Sequence, residues 1–372
     1  MSTTSLLSDS SAPRRLPWYV RSGARTWTCA PPPAEVRDFH AGLPGYAPTA
    51  LTELPSLAAE LGIGRVFVKD ESARLGLPAF KALGASWAIH RVLARRTDGT
   101  PVRLVTATDG NHGRAVARIA RQFGQRAQVF VPRGVHPAAV TAIEDEGADV
   151  VLVPGTYDEA VCRAAEAADG PDSVLMQDTG WPGYERIPGW IVEGYSTLFA
   201  EIDEQLGAGA PGLVVVPAGV GSLAQAAVTH YRSRRDGAAA TALLTVEPVT
   251  AACVLAGLGR GELVSVPTGT TTMAGLNCGT VSSLAWPLLR DGLDAAVAVT
   301  DADSAGAARD LAAAGVSAGP CGAASLAGAR AALTGAGATG RRRALAVGPD
   351  STVVLLSTEG TTANPHVQEE QR

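Results

Sequence analysis

Pro78-Ala79-Phe80-Lys81-Ala82-Leu83-Gly84-Ala85-Ser86 sets a lysine among aromatic and small apolar neighbours. The chain has 31 basic residues, and only two of them, Lys69 and Lys81, are lysines. Arginine stays protonated in practice, whereas a desolvated lysine amine can shed its proton and attack a carbonyl. An apolar pocket of this kind depresses an amine pKa. The stretch therefore reads as a Schiff-base lysine holding an aldehyde cofactor. Taken alone it also reads as a solvated helix lysine, and the chain around it decides between the two.

Working outward, a strand at 65–68 precedes a loop and a helix over 80–95, and a short amphipathic helix at 52–62 precedes the strand. From there strands and helices alternate. Strands are expected at 104–107, 128–131, 149–153 and 173–177, with helices to 123, from 136 and over 158–168. After an aromatic-rich loop (180–190) and a helix at 192–206, a second set begins. Its strands are 213–216, 242–246, 296–299 and 352–356, and its helices 223–231, 283–289, 304–314 and 323–333. Near-continuous apolar strands spaced by helices imply parallel sheets covered on both faces. Residues 1–50 read as a partly extended proline-rich arm, and 334–343 as a low-complexity surface loop.

The 372 residues suit two domains or one large one, with 46% hydrophobic residues and 42 glycines. No apolar run approaches the ~20 residues that cross a bilayer, and residues 1–17 lack the apolar core of a signal peptide. A net charge of -5 with scattered arginines makes no case for nucleic acid. Five cysteines without CxxC spacing argue against a zinc site or a dense disulfide framework. A cytoplasmic enzyme acting on small molecules is the expectation, with no metal.

Four stretches carry chemistry. Thr106-Ala-Thr108-Asp109-Gly110-Asn111-His112-Gly113 lies where a strand turns into a helix, at the carboxyl end of a parallel strand where ligands sit. Asp109 and Asn111 face a ligand there or simply cap the helix. Val216-Pro-Ala-Gly219-Val220-Gly221-Ser222-Leu223 has the same form. Its amides and the Ser222 hydroxyl can cup a phosphate at a helix start. It has no P-loop lysine, and the chain no proper GxGxxG, which disfavours a nucleotide. Leu356-Ser357-Thr358-Glu359-Gly360 closes the last strand, and Gln177-Asp178-Thr179 puts a carboxylate beside aromatics.

In this order, these pieces resemble fold-type II pyridoxal-phosphate enzymes, and the wording is most similar to the diaminopropionate ammonia-lyase family. The matching words are Val68-Lys-Asp-Glu-Ser72, Ala79-Phe-Lys81-Ala-Leu-Gly84, Thr108-Asp-Gly-Asn-His-Gly-Arg114, Gln177-Asp178-Thr179, Ala218-Gly-Val-Gly-Ser222, Met273-Ala-Gly-Leu276 and Leu356-Ser-Thr-Glu-Gly360. The resemblance covers roughly residues 45–365. The resemblance implies an α/β fold with two open, parallel-rich sheets. A small domain (100–180) would be inserted in a large cofactor-binding domain (1–99 and 181–372), and a homodimer is implied too.

It also implies roles. Lys81, beside Phe80, would hold pyridoxal 5'-phosphate covalently. Asn111 would meet the phenolic oxygen, Gly219, Val220, Gly221, Ser222 and Leu223 the phosphate, and Ser357 or Thr358 the pyridine nitrogen. Asp109 and Asp178 would be the catalytic carboxylates on opposite faces of an amino-acid substrate, suited to a leaving group that is an amine. The alternative for Asp178 is a turn-initiating aspartate. His112 is expected to pack or orient its loop, and Lys69 to pair near Asp70 and Glu71. Cys253 and Cys278 resemble positions paired in some relatives, but free thiols are expected in a reducing cytosol.

Two features depart from the pattern. Gly319-Pro320-Cys321-Gly322 stands where the family carries a glutamate beside the ring, and Thr361 where it carries an aspartate. A fold-type II enzyme of altered chemistry, such as a serine or threonine dehydratase or a β-replacement synthase, is therefore the rival reading. A non-catalytic amino-acid-binding module is a further one, against which Lys81 argues.

Overall fold

A computed structural model describes residues 17–21, 23–96, 99–108, 110–207, 209–233 and 241–363. Its strands are β1 (Trp18–Val20), β2 (Leu51–Glu53), β3 (Arg65–Asp70), β4 (Arg103–Ala107), β5 (Arg126–Pro132), β6 (Asp149–Val153), β7 (Ser173–Leu175), β8 (Leu213–Pro217), β9 (Ala242–Pro248), β10 (Ala295–Val299) and β11 (Thr352–Ser357). They form two sheets. One has seven strands in the order β1-β10-β9-β8-β11-β3-β2, and the other four in the order β6-β5-β4-β7. The four-stranded sheet is wholly parallel. In the larger sheet the five central strands run parallel, while β1 and β2 pair antiparallel at the two edges.

The expected alternation explains this arrangement. The strands Leu213-Val-Val-Val216 and Val353-Val-Leu-Leu356 are buried throughout, as strands covered on both faces must be. Helices Lys81–Leu93, Arg186–Leu206 and Ser222–Arg232 cover one side of the larger sheet with one apolar cluster, while Pro320–Leu333 and its neighbours cover the other. In the smaller sheet, helix Asn111–Gln122 follows β4 directly.

Two glycines let the lysine helix lie close on its neighbour. A Cβ on Gly84 would stand 2.6 Å from Tyr195 Cε1 and 2.8 Å from the Ile191 carbonyl oxygen. One on Gly194 would stand 2.5 Å from the Leu83 carbonyl. The helices Lys81–Leu93 and Arg186–Leu206 therefore cross backbone to backbone just beyond Lys81.

Some expectations need correction. The N-terminal arm contains β1 and a helix, Glu35–Ala41, and residues 1–16 lie outside the described residues. Leu51–Glu53 extends the edge of the sheet beside β3, so the next helix begins only at Pro55. Residues 338–345 are helical, with Arg342 donating to the carbonyls of Leu61, Gly62 and Leu333. The helix expected from 192 starts at Arg186, and helix Cys253–Arg260 was not expected.

Candidate active site

Lys81 is the first residue of its helix, which the end of β11 anchors. The Phe80 N–H donates to the Thr358 carbonyl at 3.2 Å, the Gly360 N–H donates to the Pro78 carbonyl at 2.9 Å, and Ala79 bridges Glu359. The Lys81 amine lies over the Phe80 ring, 5.2 Å from its centroid. On the other side of the helix, His40 is fully buried, with Nε2 3.0 Å from the Leu83 carbonyl and Nδ1 2.7 Å from Thr197 Oγ1.

Asp178 reaches the same amine from the loop after β7. Lys81 Nζ donates to Asp178 Oδ2 at 2.7 Å. Burial is the largest single influence and works against both charges, but the partner's charge, the hydrogen bond between them and neighbouring groups together outweigh it: the ammonium is held above its ordinary value and the carboxyl below its own. The depressed lysine pKa expected from apolar neighbours is thus reversed by a carboxylate that local sequence does not show. Asp178 is an ion-pair partner, more than a turn initiator. Tyr195 flanks the pair, and burial raises its phenol well above the usual range.

The glycine turn lies against this pair. Ser222 Oγ donates to the Asp178 carbonyl at 2.9 Å, and the Val220 carbonyl accepts from the Ser282 N–H. Gly221 has φ 92°, in the left-handed region, and precedes an 11-residue helix beginning at Ser222. A Cβ on Gly219 would meet Cys278 Sγ and the Gly275 carbonyl, each at 3.0 Å. Leu223 is buried behind the turn. Asn111, at the start of its helix, donates from Nδ2 to Glu359 Oε2 at 2.7 Å. Glu359 Oε1 accepts from the Cys321 N–H at 3.1 Å. An acid therefore does sit against Gly319–Cys321, supplied by the strand opposite. Ser357 is fully buried and Thr358 nearly so at the end of β11, and a Cβ on Gly322 would come within 2.9 Å of Ser357 Oγ.

The model for the pyridoxal-phosphate dependent enzymes matches residues 43–358. Diaminopropionate ammonia-lyase of Salmonella typhimurium is 38% identical over 293 residues, covering 72% of each chain. The chain belongs to the diaminopropionate ammonia-lyase family. The Escherichia coli K12 member is 34% identical over 356 residues, covering 90% of this chain and 89% of that one. Among solved structures, Escherichia coli diaminopropionate ammonia lyase in complex with an aminoacrylate-PLP azomethine reaction intermediate superposes with a TM-score of 0.83 at 30% identity, covering 95% and 96% of the two chains. Maize serine racemase, at 21% identity and a TM-score of 0.74, shares the fold.

Pyridoxal phosphate is this family's cofactor, and the residues here fit it. The turn at Gly219–Gly221 is a cradle that side chains would fill, opening on the N-terminus of an 11-residue helix. One buried polar atom nearby, Thr179 Oγ1, has no hydrogen-bond partner among the described residues.

Of the expected site residues, Phe80, Lys81, Asn111, Asp178, Gly219–Leu223, Ser357 and Thr358 are joined by these contacts, whereas Asp109 lies outside the described residues. Lys69 pairs with Glu201, its Nζ donating to Glu201 Oε2 at 2.6 Å, and Arg74 bridges Glu201 to Glu71, whose charge also acts on Lys69, in a fully buried cluster. Glu201 is 132 positions away, so no local spacing could reveal it. No disulfide joins Cys253 and Cys278. No described helix is long and apolar enough to cross a membrane.

Proposed function

We propose that this protein eliminates ammonia from 2,3-diaminopropionate, yielding pyruvate and a second ammonia. The observation that carries the reading is the Lys81–Asp178 pair, 2.7 Å apart beside the glycine turn. Lys81 would hold pyridoxal phosphate covalently, Gly219 to Leu223 its phosphate, Asn111 its phenolic oxygen, and Ser357 or Thr358 its ring nitrogen. Bound there, the cofactor withdraws electrons from the substrate's Cα and so acidifies the Cα proton.

The chain's own groups do the rest. Asp178, a carboxylate whose counter-ion is Lys81, is placed to accept the Cα proton, and Asp109 is proposed to serve the opposite face. As the Cβ–N bond breaks, its electron pair leaves with nitrogen, which needs a proton from one of these carboxyls. The Gly84–Gly194 crossing fixes the helix that carries Lys81, and the Phe80 ring lies under its amine.

Residues 100–180 are proposed as the small domain and 1–99 with 181–372 as the large one, supported by the confinement of the four-stranded sheet to residues 103–175. A cytoplasmic homodimer belongs to the same reading, as the resemblance to the family implies.

The test is 2-oxo acid release by the purified, cofactor-loaded enzyme: pyruvate from 2,3-diaminopropionate or serine, and 2-oxobutyrate from threonine. Preference for the diamine supports the reading. Preference for a hydroxy amino acid, or consumption of an added nucleophile in place of pyruvate release, replaces it with a dehydratase or a β-replacement synthase.

A further inference from the structure

His112 faces the same Asp178 oxygen that Lys81 reaches, from the first turn of helix Asn111–Gln122, and only 5% of it is exposed. Its Nε2 lies 2.6 Å from the Met176 carbonyl oxygen. A carbonyl only accepts, so Nε2 carries the hydrogen. Nδ1 faces Asp178 Oδ2 at 3.9 Å and has no hydrogen-bond partner among the described residues.

The electrostatics disfavour a charge on the ring. Burial lowers the imidazole pKa, and the Lys81 ammonium adds to that against the pull of Asp178. A neutral ring with its hydrogen on Nε2 presents a lone pair at Nδ1. Two acceptors thus face each other, with no proton between them, at a spacing too long for a hydrogen bond. A buried acceptor left in this way is uncommon in folded proteins. While the ring stays neutral, the pair becomes complementary only when Asp178 carries a proton.

We propose that His112 is a positioning residue that accepts a hydrogen bond from the protonated form of Asp178 and so holds the captured proton until the amine leaves. This rests on the reading in which Asp178 takes the Cα proton. The Cα–H bond breaks, its electron pair stays on the substrate, and an O–H bond forms on Asp178 and points at Nδ1. When the Cβ–N bond breaks, its pair goes to nitrogen, which takes that proton and departs as ammonia. Asp178 returns to a carboxylate, and His112 is never itself protonated. The other titratable groups around Asp178 are Lys81, Tyr195 and Tyr184, with Cys278 near Lys81.

The test uses His112→Gln, which keeps a donor for the Met176 carbonyl and removes the acceptor, and His112→Asn, whose amide oxygen restores an acceptor near Nδ1. Histidine 15N NMR of the cofactor-free protein, assigned with His112→Gln, should show a neutral ring with hydrogen on Nε2. In Asp178→Asn the new amide N–H should move the Nδ1 resonance toward the hydrogen-bonded position. In the loaded enzyme, His112→Gln should lower kcat about tenfold with KM little changed, and shift the acid limb of the pH profile downward by about one unit. His112→Asn should recover part of the loss. Hydrogen on Nδ1, an Nδ1 resonance indifferent to Asp178→Asn, or equal losses in both variants tracking thermal stability would overturn the proposal. If the wild-type enzyme releases no pyruvate from diaminopropionate, the functional reading fails, and the NMR result still decides the pairing.

Discussion

Lys81 Nζ and Asp178 Oδ2 lie 2.7 Å apart although 97 positions separate them in the chain. The lysine opens a helix beside the seven-stranded sheet, and the aspartate follows the last strand of the four-stranded one. The ion pair therefore ties the two sheets together at the point where the chemistry is proposed. It also stores the proton that Lys81 must lose before its nitrogen can attack a carbonyl.

Asp178→Asn should separate holding the cofactor from turning over substrate. The amide keeps the shape of the carboxylate but neither balances the Lys81 charge nor accepts a proton. Pyruvate release should fall about 100- to 10,000-fold, the range for losing a general base, while the visible absorbance of the bound cofactor persists. Unchanged turnover would remove Asp178 from the mechanism.

The glycine crossing gives a prediction about stability and position together. Gly84→Ala puts a methyl group 2.6 Å from Tyr195 Cε1 and 2.8 Å from a carbonyl, so the two helices must part. The expected cost is about 1–3 kcal/mol, read as a lower midpoint in urea. Weaker cofactor retention should accompany it, because Lys81 is one turn away. A control at the exposed Gly340, where nothing lies within 4 Å, should show neither effect.

His40 predicts an acid-sensitive fold. Burial pushes its imidazole down to about 4 from 6.5, against the raising effect of the Leu83 carbonyl. Below 6.5 the unfolded chain binds a proton that the folded chain refuses until about pH 4. The stabilisation is complete above 6.5 and is lost as pH falls through that window, to a total of about 3 kcal/mol. Melting temperatures between pH 7 and 5 should fall in the wild type. They should fall less steeply in His40→Gln, whose melting temperature is lower throughout.

The sequence announces the elements whose signal is local. The apolar runs of β8 and β11, the Pro137 helix start, and the glycine turn at Gly219–Gly221 all occur where periodicity and turn chemistry place them. What it conceals is long-range pairing. The Lys81 neighbourhood looks apolar over nine residues, and the carboxylate that reverses its pKa comes from beyond the next four strands. Gly319-Pro320-Cys321 looks stripped of its acid, yet Glu359 reaches it from the end of β11. The helix 338–345 hides in a Gly/Ala/Thr/Arg-rich stretch, because its anchors, the carbonyls of Leu61 and Leu333, lie elsewhere in the chain.

The most direct test asks which nitrogen holds the cofactor. Purified protein loaded with pyridoxal phosphate is reduced with borohydride, digested, and its peptides weighed. The account predicts one pyridoxyl-phosphate group, on the peptide carrying Lys81, and none in Lys81→Ala. A label on Lys69, or no label while the enzyme still releases pyruvate, would contradict it.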